Sequence, residues 1–258
     1  MAFKTVFFLF LFLLTVLSYT ALKPATSWQL RAWCGPAEHC SNGTVNGKIM
    51  VDVDLFDTSA AEIATLVSQS HVVICYFSAG SLESYRPDAN TFPASLLGLQ
   101  MDGWDETWLD IRDLAALQPI MAKRIALAKS KGCNGIEPDN VDCWANNCVN
   151  GVDAEDDTMG QAQLVYNKWL AAEAHGNGLS IGLKNDLDQV DDLVNSFDWA
   201  INEECFHYDE CDGLNTFINN GKAVFNVEYT GNFTANCAKA KVLKFSSKYD
   251  VNGMWVDC

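Results

Sequence analysis

Histidine is scarce in this chain, with four among 258 residues, and no H-E-x-x-H or C-x-x-C pattern brings metal ligands to close spacing. A zinc site is therefore not expected, nor is any other cofactor. Basic residues are few as well: 17 Lys and Arg stand against 33 Asp and Glu, a formal net charge of −16. Phosphate backbones are bound through Lys and Arg, so nucleic acid is not an expected partner, whereas a neutral or cationic ligand is. No G-x-G-x-x-G follows the first strand-like run, which argues against a dinucleotide-binding sheet. Past the first twenty residues no apolar run is long enough to cross a bilayer, so no membrane partner is expected. With 49% hydrophobic residues the chain has a core to bury, and its length suits one large domain.

Residues 1–20 read as a signal peptide: Lys4 is the basic start, Val6–Leu17 the apolar run, and Ser18, Tyr19 and Thr20 precede cleavage. The apolar run falls short of the roughly 20 residues a membrane anchor needs. Residues 21–258 would then be a secreted, monomeric domain. In an oxidising compartment the ten cysteines point to disulfides before metals. Cys34 with Cys40, Cys143 with Cys148 and Cys205 with Cys211 are local pairs, while Cys75 and Cys133 could equally be buried thiols. Asn42 and Asn232 begin Asn-x-Thr acceptor patterns for N-glycosylation.

From Cys40 onward, β-rich runs alternate with segments of helical period. The expected strands are Met50–Leu55, Val72–Phe77, Thr107–Arg112, Gly135–Glu137, Leu179–Lys184, Trp199–Glu203, Ala223–Glu228 and Gly253–Val256. Ser59 with Glu62 forms a capping box ahead of Ile63, Leu66 and Val67. Helical stripes through Ile120 to Ala128 and Leu164 to Ala172 end at Gly132 and Gly176. Leu187, Val190, Val194 and Phe197 form a further stripe, and Ala238, Val242 and Phe245 another. Eight strands with helical crossovers predict an α/β fold, a single-domain (β/α)8 TIM barrel that lacks its last helix.

Side chains alternate faces along a strand. With the apolar parity turned to the helices, the lumen receives Asp52, Asp54, Asp110, Arg112, Glu137, Asp139, Lys184, Asn202, Asn226 and Glu228. Most are charged and stand at carboxyl ends of strands, where barrels of this kind build their sites. Paired carboxyls near one bond suit glycoside hydrolysis: one protonates the leaving oxygen and the other attacks carbon or activates water. Trp104, Trp108 and Trp144 flank the same loops and could stack on sugar rings. A Schiff-base lyase using Lys184, and a barrel that binds carbohydrate without cleaving it, remain alternatives.

The runs VDVDLFDT (51–58), VICYFSAGS (73–81), WLDIR (108–112), GIEPDNVD (135–142), GLKND (182–186), NEEC (202–205) and AVFNVEY (223–229) together resemble glycoside hydrolase family 114. The resemblance spans nearly the whole chain after the leader. It implies a TIM barrel that acts as an endo-α-1,4-polygalactosaminidase on polymers such as galactosaminogalactan, with a glycosidase of another amino-sugar or neutral polysaccharide as the alternative. It also implies Asp139 and Glu203 as the catalytic pair. Arg112 and Lys184 would hold the carboxylates charged or contact hydroxyls, and Asp54 and Glu228 would take the sugar amine. Tyr76, Asp110, Glu137 and Asn202 complete the set of expected substrate contacts. The sequence departs from the family at Asn134 and Glu204, where Asp and Gln are usual, and in carrying Cys143 and Cys148. Strict alternation would turn Asn202 and Glu204 inward and Glu203 outward, in conflict with the motif. Strand ends bend or bulge, and the motif is preferred. A cleft bordered by Asp52, Asp54, Asp110, Glu137 and Glu228 would attract a cationic polymer.

Overall fold

Along the chain the strands are β1 (Trp28–Leu30), β2 (Met50–Asp54), β3 (Val72–Ser78), β4 (Ser81–Glu83), β5 (Leu97–Gln100), β6 (Glu106–Leu109), β7 (Gly135–Asp139), β8 (Ser180–Lys184), β9 (Trp199–Glu203), β10 (Val224–Glu228), β11 (Ser246–Asp250) and β12 (Trp255–Asp257). The helices are α1 (Ala60–Ser68), α2 (Leu114–Lys131), α3 (Asp157–Gly176), α4 (Val190–Leu193), α5 (Asn215–Asn219) and α6 (Phe233–Leu243). The structure, a computed structural model, describes residues 19–31, 45, 47–151, 157–251 and 255–258. The apolar leader run, Cys34, Cys40 and Asn42 lie outside them.

Eight strands run parallel in the order β1-β2-β3-β7-β8-β9-β10-β11, and β12 turns back antiparallel on β11. Across the seam from β1 to β11, Trp28 Nε1 donates to the Ser246 carbonyl at 2.8 Å, and the Ala25 amide to the Lys244 carbonyl at 3.1 Å. The sheet is thus a nearly closed (β/α)8 barrel, and among the described residues no helix follows β11. Six of its strands are the expected ones. Thr107–Arg112 is not a barrel strand: its ordered part, β6, lies between β4 and β5 in a separate antiparallel sheet. The eighth barrel strand is Ser246–Asp250 rather than Gly253–Val256, and Trp28–Leu30 fills the other vacant place.

The helices form where the sequence provides starts and stops. Ser59 caps α1 by accepting the Glu62 amide at 3.2 Å, and α2 stops at Gly132, whose φ of 91° suits a residue without a Cβ. Leu117, Ile120, Met121 and Ile125 of α2 are buried against the barrel, each contributing up to about 2 kcal/mol. The stripe from Leu187 to Phe197 yields only the four-residue α4. In α6 the buried face is Cys237 and Ala240, not the expected Ala238 and Val242, and Val242 is exposed.

Disulfides join Cys75 to Cys133, Cys143 to Cys148, Cys205 to Cys211 and Cys237 to Cys258. The first ties β3 to the start of β7 across a sequence separation of 58. Closing so long a loop restricts the unfolded chain, so replacing both Cys75 and Cys133 by Ala is expected to cost about 3–4 kcal/mol. Calorimetry should show this as a fall of roughly 10 °C in the unfolding temperature. No helix of the described residues is long and apolar enough to cross a membrane.

Candidate active site

Two apolar sets separate the faces of the barrel. Val51, Val53, Val73, Cys75, Ile136, Ile181, Leu183, Ala200 and Val224 pack outward against the helices. Trp28, Met50, Ile74, Trp199, Ile201 and Phe225 pack together as the other set, which forms the floor of the lumen. Gly182 is required there, since a Cβ on it would stand 2.2 Å from the Trp199 ring. On β2, β7 and β8 the inward parity is the one read from sequence. On β9 and β10 it is reversed, because the floor takes its bulk from Trp199, Ile201, Phe225 and Val227. That reversal settles the strand-end conflict: Glu203 shares the inward parity of Trp199 and Ile201, and Asn202, Asn226 and Glu228 do not.

Above the floor the inward side chains are Asp52, Glu137 and Lys184, all fully buried, then Asp139 and Glu203 at the mouth. Lys184 Nζ lies 2.8 Å from Asp139 Oδ1, 3.3 Å from Glu203 Oε2 and 3.5 Å from Glu137 Oε1. Two contacts to one nitrogen hold the Asp139 and Glu203 oxygens no more than about 6 Å apart, within the range of paired glycosidase carboxyls. Burial alone would lower the Lys184 pKa, but Asp139, Glu203 and Glu137 more than offset it and raise it well above the usual lysine value. Each mouth carboxylate also takes a phenol. Tyr76 donates to Asp139 Oδ2 at 2.9 Å and Tyr229 to Glu203 Oε1 at 2.5 Å. Burial, with the neighbouring carboxylates, pushes both phenols up, so they stay protonated as donors.

The chain leaves three successive strands through a non-glycine residue of positive φ: Asn140 (59°) after Asp139, Asn185 (50°) after Lys184 and Glu204 (59°) after Glu203. Asn tolerates this backbone better than most residues, and its amide then supports the site. The Asn140 amide N–H donates to Asp139 Oδ1, and its side chain donates to Ser78 Oγ at 2.9 Å. Asn185 holds Glu203 at two points, donating to Oε2 at 3.1 Å and accepting its backbone N–H at 3.0 Å. Sequence reasoning had not assigned roles to Asn140, Asn185 or Tyr229. Their signal was position, each directly after a charged strand end.

Other expected contacts lie elsewhere. Asp54 points inward but is gripped by Arg86 through two bonds, of 3.0 and 2.7 Å, from a guanidinium that Glu83 shares at 2.6 Å, so it is already paired. Asp110 and Arg112 pair with each other beyond β6, where the guanidinium lowers the Asp110 pKa. Glu228 is wholly buried and accepts the Phe206 amide at 3.0 Å and the Asn226 side chain at 3.1 Å, which braces the loop after β9 rather than facing a sugar. Asn202 likewise accepts the Cys205 amide and donates to Asn185. Trp108 is buried, Trp144 packs on Gly160, and Trp104 is exposed on the turn between β5 and β6. Asn134 accepts the Val73 amide at 2.9 Å. Asn232 caps α6 through its side-chain oxygen and is exposed.

Behind the mouth stand two more acids. Burial, then the Asp139 charge, pushes Asp142 up to about 7; burial, then Asp142, pushes Asp186 up to about 8. Between the ordinary carboxyl range and about 8 the folded protein therefore binds more protons at Asp186 than the unfolded chain does. That contribution is complete below the unfolded value and is lost as pH rises through about 8. Relative to Asp186→Asn, the wild type should lose on the order of a few kcal/mol over this window. Parallel unfolding curves at acidic and mildly alkaline pH would reveal it, and a constant difference would contradict it.

A TIM barrel whose mouth sets two carboxylates on one buried ammonium has the frame of a glycoside hydrolase. The model of glycoside hydrolase family GH114 matches residues 17–255, and the chain belongs to that family. It is 32% identical to Ega3 of Aspergillus fumigatus, whose structure was solved in complex with galactosamine; the match covers 93% of this chain and 99% of that one, with a TM-score of 0.80. The glycoside hydrolase domain of PelA from Pseudomonas aeruginosa shares the fold, with 13% identity, a TM-score of 0.68, and coverage of 90% and 98%. No curated protein matches significantly.

Proposed function

We propose that the protein is a secreted glycosidase that cleaves α-1,4-linked galactosamine polymers, with Asp139 as nucleophile and Glu203 as acid/base. The observation that carries this is the bridge from Lys184 Nζ to both carboxylates, at 2.8 and 3.3 Å. Their closeness leaves little room for an intervening water and favours a covalent route with retention. Asp139 accepts from Lys184, Tyr76 and its neighbour's amide, donors that orient a carboxylate for attack. Glu203 is more open, its side chain 28% exposed, which suits a group that gives and regains a proton. In the first step Asp139 bonds the anomeric carbon as the glycosidic C–O bond breaks, and the Glu203 proton passes to the leaving oxygen. Water then gives its proton to Glu203 and its oxygen to the same carbon, releasing Asp139. Lys184, tied to three carboxylates, is a cation and not a Schiff-base amine. The galactosamine substrate is supported by family membership, by the galactosamine complex of Ega3 and by the net charge of −16.

The test is incubation of the purified protein with deacetylated and N-acetylated α-1,4-galactosamine polymers, read by mass spectrometry and proton NMR. Oligosaccharides whose new reducing ends appear first as the α anomer are expected from the deacetylated polymer, with KM rising as salt is added. Release of the β anomer first would exclude Asp139 as nucleophile, and intact polymer in both samples would exclude the substrate.

A further inference from the structure

Between the apolar floor and Lys184 lie Asp52 and Glu137, both wholly buried. None of their four carboxyl oxygens accepts a hydrogen bond from an N–H or hydroxyl among the described residues. Glu137 Oε1 has Lys184 Nζ at 3.5 Å, and Asp52 and Glu137 are neighbours on the inward faces of β2 and β7, the two strands that flank β3, where the Glu137 charge acts on Asp52. Trp28, Met50 and Trp199 close the lumen beneath them. Two bare carboxylates side by side in such a medium repel strongly, and one proton between them turns the repulsion into a short O–H···O⁻ bond.

We propose that Asp52 is a buried carboxylic acid that donates its proton to Glu137, and that this pair of single negative charge is the positioning support of Lys184 beneath Asp139 and Glu203. The proton belongs on Asp52 because Glu137 has the ammonium beside it. Lys184 favours the ionised form of Asp52 less than Glu137 opposes it, and the remaining charge near Asp52 is Asp54, which Arg86 holds together with Glu83. Burial, then the charge of Glu137, raises the Asp52 pKa well above the ordinary value, in keeping with that assignment. Were Asp52 ionised, a second buried negative charge would compete with Asp139 and Glu203 for the one ammonium and draw it away from the mouth. The pair acts through Lys184 and touches no substrate.

Infrared difference spectra of the full chain, wild type against Asp52→Asn, provide the direct test. At a pH above the range where Asp142 and Asp186 titrate, the wild type should show the carbonyl stretch of a protonated carboxyl, shifted in D2O and missing from the variant. Absence of that band overturns the proposal. This reading needs no substrate, so it can fail while the glycosidase reading stands, and the reverse. In hydrolysis, Asp52→Asn keeps an N–H donor toward Glu137 and should retain kcat within about threefold, whereas Asp52→Ala should lose about tenfold or more with KM little changed. Equal losses in both variants would overturn the donor role. If Asp52→Ala does not fold, the infrared comparison with Asp52→Asn still decides.

Discussion

Replacing Asp139 by Asn, or Glu203 by Gln, lowers the rate of polymer hydrolysis by about 10³-fold or more while the fold persists. Each amide keeps the shape and the phenol contact of the acid it replaces, from Tyr76 or Tyr229, so the loss reports chemistry rather than packing. The two variants should differ on a substrate with an activated leaving group. Glu203→Gln then regains much of the first step, which needs no proton, and accumulates a glycosyl-enzyme that mass spectrometry can weigh. Asp139→Asn stays inactive on every substrate. Recovery of the activated substrate by Asp139→Asn instead would exchange the two roles. Because both acids share Lys184, the double variant should lose far less than the product of the single losses.

The second large effect belongs to Lys184→Met. Its Nζ is buried, and among the described residues no other cation pairs with Glu137, Asp139 or Glu203. Removing one partner of a buried ion cluster typically costs about 3–5 kcal/mol, since the remaining charges lose their compensation without regaining water. Stability of the variant should fall by that amount at neutral pH and recover part of it in acid, where protonation relieves the repulsion. The acid limb of the pH–rate profile should move upward, because carboxylates without a nearby cation hold protons more tightly. Urea titration at two pH values checks the first expectation and the rate profile the second. A variant with wild-type stability at neutral pH would mean the carboxylates share protons rather than rely on the ammonium.

Much of this barrel was legible because strands such as Val72–Ser78 and Trp199–Glu203 are dense in β-branched and aromatic residues, and several, Trp199–Glu203 among them, end in charge. Trp28–Leu30 escaped because three residues show no period. Ser246–Asp250 escaped because its sequence, SSKYD, is polar; its Lys248 is buried and pairs with Asp257 of β12. Thr107–Arg112 has the alternation of a strand, yet alternation cannot say which sheet a strand joins. The inward set was read correctly on β2, β7 and β8, where the helix side is the apolar one. It failed on β9 and β10 because the barrel floor needs aromatic bulk, and neither face of those strands is more polar by rule. Asp139 and Glu203 are named as a pair by motif alone, and their closeness needed Lys184 in three dimensions. Arg86 comes from β4's trailing loop, so its grip on Asp54 had no local trace in the sequence.

The two phenols that grip Asp139 and Glu203 stand on, or directly after, barrel staves rather than on the surface loops. The proposed bond-breaking pair is thus anchored in the hydrogen-bonded barrel itself. The rim segments can change length and composition, and with them the polymers admitted, without retuning the scissors. Diversification of diet in such a scaffold is uncoupled from upkeep of its chemistry.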